Sequence, residues 1–166
     1  GRFYPRQWEA FPKFLHDNGQ RTNFVHMFLP SKDMPNARSA AERLKRFNRD
    51  SDQQGAHASL DSFLSLGIVF RVAFKWLRLT GVTLRMGSVR QHFQPNGTVV
   101  SLWPLLRSDW NASVRGSTAI INLLWVELFN VAMRSLPRQE LGLYLCENQG
   151  WERAFINAWR TGGHGE

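Results

Sequence analysis

Cysteine is almost missing from this chain: Cys146 is the only one among 166 residues. No intrachain disulfide can form and a thiolate zinc cluster is excluded. A solitary thiol inside an apolar run fits a reducing compartment and reads as a buried structural group rather than a nucleophile. Acidic residues are also scarce, 13 against 21 Lys and Arg, which leaves a formal charge of +8. That imbalance implies attraction to anions, whether nucleic acid, acidic lipid or a phosphorylated small molecule, and charge alone does not choose among them. Long apolar runs are lacking too. Residues 120–133 are interrupted by Asn122, Glu127 and Asn130 and fall short of the roughly 20 apolar residues a membrane span requires, so a buried helix is expected. There is no charged-then-apolar leader, no glycine-rich phosphate loop, and no repeat, heptad series or low-complexity tract. The five histidines (His16, His26, His57, His92, His164) show no metal-ligand spacing, so neither a metal nor an organic cofactor is expected.

What is abundant is aromatic: 13% of the chain, with 7 Trp and 12 Phe. The length suits one domain with a substantial core. Residues 4–16 place Trp8, Phe11, Phe14 and Leu15 on one helical face despite Pro12. A buried strand is predicted over residues 22–29. After a turn at 33–35 comes a basic amphipathic helix, with Ala37, Ala40, Ala41, Leu44 and Phe47 inward and Arg38, Arg43, Lys45, Arg46 and Arg49 outward. Its cationic side reads first as a solvated face, with a nucleic-acid or membrane surface as the alternative. Residues 48–55 form a polar linker, 57–60 a short strand, and 63–79 a long helix beginning near Ser62. Asp61 then stands where strand gives way to helix, either capping that helix or facing a ligand.

Two segments carry the functional reading. In residues 141–160 an apolar run of strand length meets Glu147, Asn148, Gln149 and Gly150, and an amphipathic helix bearing Trp151, Phe155, Ile156 and Trp159 follows. Ligands of open α/β folds sit at the carboxyl ends of strands, where a helix N-terminus offers N–H donors. Asn148 and Gln149 can bind there or can simply cap the helix, with Glu152 complementing its dipole. In residues 103–118, Arg107 and Arg115 flank small hydroxyl residues at the mouth of an apolar helix over 118–136, a plausible phosphate cradle. The rival reading is an Arg107–Asp109 ion pair packed on Trp110.

The stretches Arg21–His26, Leu60–Leu64, Trp103–Gly116 and, most specifically, Glu147-Asn148-Gln149-Gly150-Trp151-Glu152 with the trailing Ala158-Trp159 and Gly163-His164-Gly165 resemble a family of bacterial surface carbohydrate biosynthesis proteins. The resemblance implies an α/β fold with a Rossmann-like parallel sheet flanked by helices, part of a GT-B-like two-domain glycosyltransferase architecture. Residues 1–136 would be the later part of an N-terminal Rossmann-like domain, and 137–166 the opening strand and helix of a second. Both ends look cut, so an excerpt of a longer protein is expected. The implied partners are a nucleotide-sugar donor and a glycan or lipid-linked acceptor rather than nucleic acid. The implied location is cytoplasmic, with peripheral contact at the inner membrane face as an open alternative.

The resemblance assigns no catalytic residue. Glycosyl transfer without a metal must offset charge building on the departing phosphate with cations and helix N-termini, which nominates Arg107 and Arg115. Glu147 or Asp109 would accept the acceptor proton or bind sugar hydroxyls. Trp110 or Trp151 would stack on a sugar or base, with Asn148, Gln149 and Asp61 as further contacts. Two other classes stay open: a basic nucleic-acid module, against which the cations are spread along the chain, and a non-catalytic scaffold of an assembly complex.

Overall fold

A computed structural model describes residues 10–32, 34–50, 55–94 and 99–165. Trp8, the 33 end of the first turn and the 95–97 turn expected from sequence lie outside these residues. The chain divides into two units, Gly1–Phe63 and Leu64–Glu166. The expected break at 136/137 does not coincide with that division, because the last helix packs against the apolar helix before it.

In the first unit, α1 (Ala10–Asp17) tolerates Pro12 in its first described turn and buries it. The strands β1 (Thr22–His26) and β2 (Gly55–Ser59) pair in parallel, Phe24 opposite His57 and His26 opposite Ser59, with α2 (Ala37–Asp50) between them in sequence. Such a pairing needs a crossover of this kind. A side chain at Gly55 would meet the Thr22 carbonyl oxygen at 2.6 Å, so only glycine lets β2 begin this close to β1. The outer edge of β2 is closed by Asn48 of α2. Its amide donates to the His57 carbonyl at 2.7 Å and accepts the His57 N–H at 3.0 Å, supplying the bonds a third strand would otherwise make. Ala40 and Leu44 of α2 are buried, so its apolar stripe is spent on the fold.

The second unit is helical: α3 (Leu66–Arg85), α4 (Trp103–Val114), α5 (Ser117–Ser135) and α6 (Gly150–Thr161), with a 3-10 segment over Gly87–Phe93. Helix α5 is central, packing on α3, α4 and α6 and burying Leu128, Phe129, Ala132 and Met133. The ordinary period-3.6 pattern explains α3 and α5. Helix α4 has Pro104 in its first turn, a helix-start signal.

The expected strand over residues 141–146 does not form. The segment is irregular, with Gly142 and Tyr144 half-buried between the exposed Leu141, Leu143 and Leu145. The alternation is that of a strand, but no described strand pairs with it. A Cβ on Gly142 would meet the Trp159 ring at 2.9 Å, so this run lies on α6 through side chains rather than on a sheet. The architecture is therefore helices with a small two-stranded parallel sheet. No single helix among the described residues is long and apolar enough to cross a membrane.

Candidate functional site

Helices α5 and α6 run in the same direction. Gly150, the first residue of α6, sits so close to Asn122 that a Cβ there would lie 2.8 Å from its Oδ1. At the other end His164, just beyond α6, brings Nε2 to 2.8 Å from the Met133 carbonyl. The N-termini of the two helices consequently point the same way. Asn122 is five residues into α5, so the mouth of α6 lies ~8 Å along the α5 axis.

The two mouths differ. At α6, Oε1 of the buried Glu152 accepts the N–H of Gln149 at 2.9 Å and that of Glu147 at 2.6 Å, and the Cys146 thiol approaches Oε2 at 3.5 Å. To wrap the carboxylate in this way the chain takes the left-handed conformation at Asn148 (φ 57°), which asparagine tolerates better than most residues. The N–H of Gln149, offset by burial and then aided by those of Glu147 and Asn148, holds the Glu152 carboxyl below its ordinary value. The protein's own carboxylate thus occupies the anion site expected here. Glu147, Asn148 and Gln149 present exposed side chains around it.

At α5, the cap residue is Gly116, which has no side chain to bond the first N–H groups. The first turn of α5 follows directly on α4, the two helices meeting at a 42° bend, beside Arg115, whose side chain is exposed and whose carbonyl accepts the Trp76 indole N–H at 2.8 Å. Arg115 therefore stands just before the α5 N-terminus, as Glu147, Asn148 and Gln149 stand before that of α6. Arg107 does not: it lies eight residues earlier on α4, ~12 Å along that helix. Among the described residues no ion pair joins Arg107 to Asp109, and both are exposed. Trp110 packs edge-on to Phe93 with centroids 6.0 Å apart, and Trp151 stacks at 6.4 Å on Phe129 of α5. Both rings are half-buried beside these aromatic neighbours.

No protein-family model, curated protein or solved structure matches this chain.

Asp61 proves not to cap α3. The N-cap is Ser65, whose Oγ accepts the Ile68 N–H at 3.4 Å, while Asp61 accepts the Ser59 hydroxyl at 3.2 Å in the 3-10 segment Leu60–Phe63. Because Ser59 pairs with His26, the carboxyl ends of both strands gather His26, Ser59 and Asp61 in the first unit. His26 Nε2 and His57 Nδ1 are 2.8 Å apart, one donating and the other accepting, and the His57 ring is sandwiched between Phe24 (4.5 Å, stacked) and the edge-on Phe47 (4.9 Å). Burial lowers the His26 pKa. Burial first, and then the neighbouring His26, bring His57 down to about 4, so both rings are held neutral at pH 7. The sequence offered no local signal for this pair, since its members stand 31 residues apart.

A second cluster also escaped the sequence reading. Glu127 of α5 is buried and receives Arg71 Nε at 2.7 Å and Lys75 Nζ at 2.5 Å from α3. Burial pushes its pKa up, but the bonds from Lys75 and Arg71 prevail and the net shift is downward. The regular spacing of the cations on α3 was visible in the sequence; their single carboxylate partner was not. Among the described residues no group of three or more His, Cys, Asp or Glu could hold a metal ion.

Proposed function

We propose that this chain is the substrate-contacting part of a glycosyltransferase-like protein of surface polysaccharide assembly, transferring a sugar from a nucleotide-sugar donor to a glycan or lipid-linked acceptor. The observation that carries this reading is the common direction of α5 and α6. One mouth leaves its N–H donors uncapped beside Arg115, and the other offers the exposed carboxylate and amides of Glu147, Asn148 and Gln149. In the proposed roles the α5 donors and Arg115 take the donor diphosphate and offset charge on the leaving group. Glu147 accepts the proton of the acceptor hydroxyl, and Asn148 and Gln149 bind sugar hydroxyls. The GT-B-like arrangement of the whole protein is part of the same proposal, as is a cytoplasmic site of action.

Calorimetric titration of the intact protein with nucleotide sugars and bare nucleotides tests it. Saturable binding that weakens about tenfold or more in Arg115→Gln, as loss of a charge-assisted phosphate contact predicts, supports the reading. Glu147→Gln should keep binding and lose transfer. Absence of saturable binding to any nucleotide rejects the enzyme and leaves the scaffold reading, which the self-filled mouth of α6 favours.

A further inference from the structure

Helix α3 has three sides. Ile68, Val72 and Thr83 are buried on the side facing α5. A second side carries Leu66, Phe70, Phe74, Leu77 and Leu84, which succeed one another at helical spacing and are 78%, 73%, 67%, 62% and 66% exposed. The third carries Arg71, Lys75, Arg78 and Arg85, and the helix contains no Asp or Glu. An aromatic-rich apolar stripe left in water over five turns, with a cationic border, departs from the usual surface of a soluble helix.

We propose that this stripe is the docking face for an anionic lipid surface, on which α3 lies in the membrane plane with its phenylalanines at the acyl boundary and its cations among the headgroups. The charge pattern selects this occupant. A second copy meeting stripe to stripe would bring two acid-free cationic borders together, whereas acidic headgroups complement them. Glu127 engages Arg71 and Lys75, yet their side chains remain 51% and 45% exposed, so they stay within reach of phosphate. Arg78 and Arg85 are exposed at the border. Helix α2, the basic helix singled out by sequence, lacks this property because Ala40 and Leu44 are buried. The inference does not depend on sugar transfer.

The test is flotation of the intact protein with vesicles of phosphatidylcholine alone and of phosphatidylcholine mixed with phosphatidylglycerol. Binding to the mixed vesicles, at least about tenfold stronger than to phosphatidylcholine and weakened by salt, is expected. Phe70→Ser with Phe74→Ser should abolish it while leaving the melting temperature in place, and Arg78→Glu with Arg85→Glu should remove the lipid preference. Arg46→Glu on α2 should change neither. The proposal is overturned if the parent does not float with the mixed vesicles, or if the serine variant floats as well as the parent. It is equally overturned if light scattering finds a dimer that the serine substitutions dissolve, or if those substitutions lower the melting temperature, because the stripe then covers another protein surface.

Discussion

Replacing Glu127 by Gln keeps the size and shape of the side chain and removes the charge that draws Arg71 and Lys75 onto α5. A hydrogen bond to a charged partner contributes about 1.5–3 kcal/mol, so two would set a ceiling of ~3–6 kcal/mol. The ceiling is not reached, because the two cations are about half exposed and regain water when released, unlike a fully buried partner. A loss of about 2–3 kcal/mol follows, which for a unit of this size lowers the melting temperature by ~10–15 °C. Circular-dichroism melts and urea titrations measure it directly. The pH dependence supplies an internal check. With its folded pKa below the ordinary 4.5, Glu127 contributes fully above that value, and the contribution disappears as pH falls through the folded value. The gap between parent and variant should therefore close in acid. Exchanging all three groups for apolar ones (Glu127→Leu, Arg71→Met, Lys75→Met) should restore most of the stability. A Glu127→Gln protein within ~0.5 kcal/mol of the parent at neutral pH would refute the reasoning.

Three other outcomes are open to measurement. His57, depressed to about 4, binds its proton more readily in the unfolded chain, so the first unit should gain stability as pH rises from about 4 to 6.5 and stay level above. The full shift would correspond to ~3 kcal/mol, and screening by solvent reduces the expected gain to about 1–2 kcal/mol; a flat profile, or an imidazole titrating near 6.5 by NMR, contradicts it. Gly55→Ala forces a methyl group against the Thr22 carbonyl and should cost about 1–3 kcal/mol, read as a lower urea midpoint; an unchanged midpoint would show that the strands can separate at that point. Ser65→Ala removes the α3 cap and should cost about 1 kcal/mol, whereas Asp61→Ala should leave α3 intact, as hydrogen exchange of the Ile68 amide would report.

Local pattern sufficed where an element answers to its own periodicity. The apolar spacing of α2, α3 and α5 and the short strands around Phe24 and His57 could be read directly from periodicity, but burial could not: the apolar stripe of α3 stays exposed and β1, expected to be buried, has no buried residue. Reading broke down where partners decide. Leu141 to Cys146 has the composition of a strand, yet a ladder needs a neighbour and none of the described strands supplies one. The ring partners of Trp110 and Trp151, Phe93 and Phe129, are distant in sequence and give no local signal. Ser65 took the cap from Asp61 because a 3-10 turn separates β2 from α3. Of the candidate site, the nominees on the α5 and α6 mouths could be gathered from sequence, since helix N-termini announce themselves. The direction of the two helices, which sets Arg115 and Glu147 before N-termini that point the same way and leaves Arg107 back along α4, is a property of packing.

The carboxylate of Glu152 is the shared acceptor of two loop amides, those of Glu147 and Gln149, so its removal leaves both without that partner. Shortening the side chain to alanine should expose two converging amides shaped for sulfate or phosphate, with millimolar salts of either restoring the lost melting temperature and chloride failing to do so. A single codon change would then separate a self-contained turn from a receptor for an acidic metabolite.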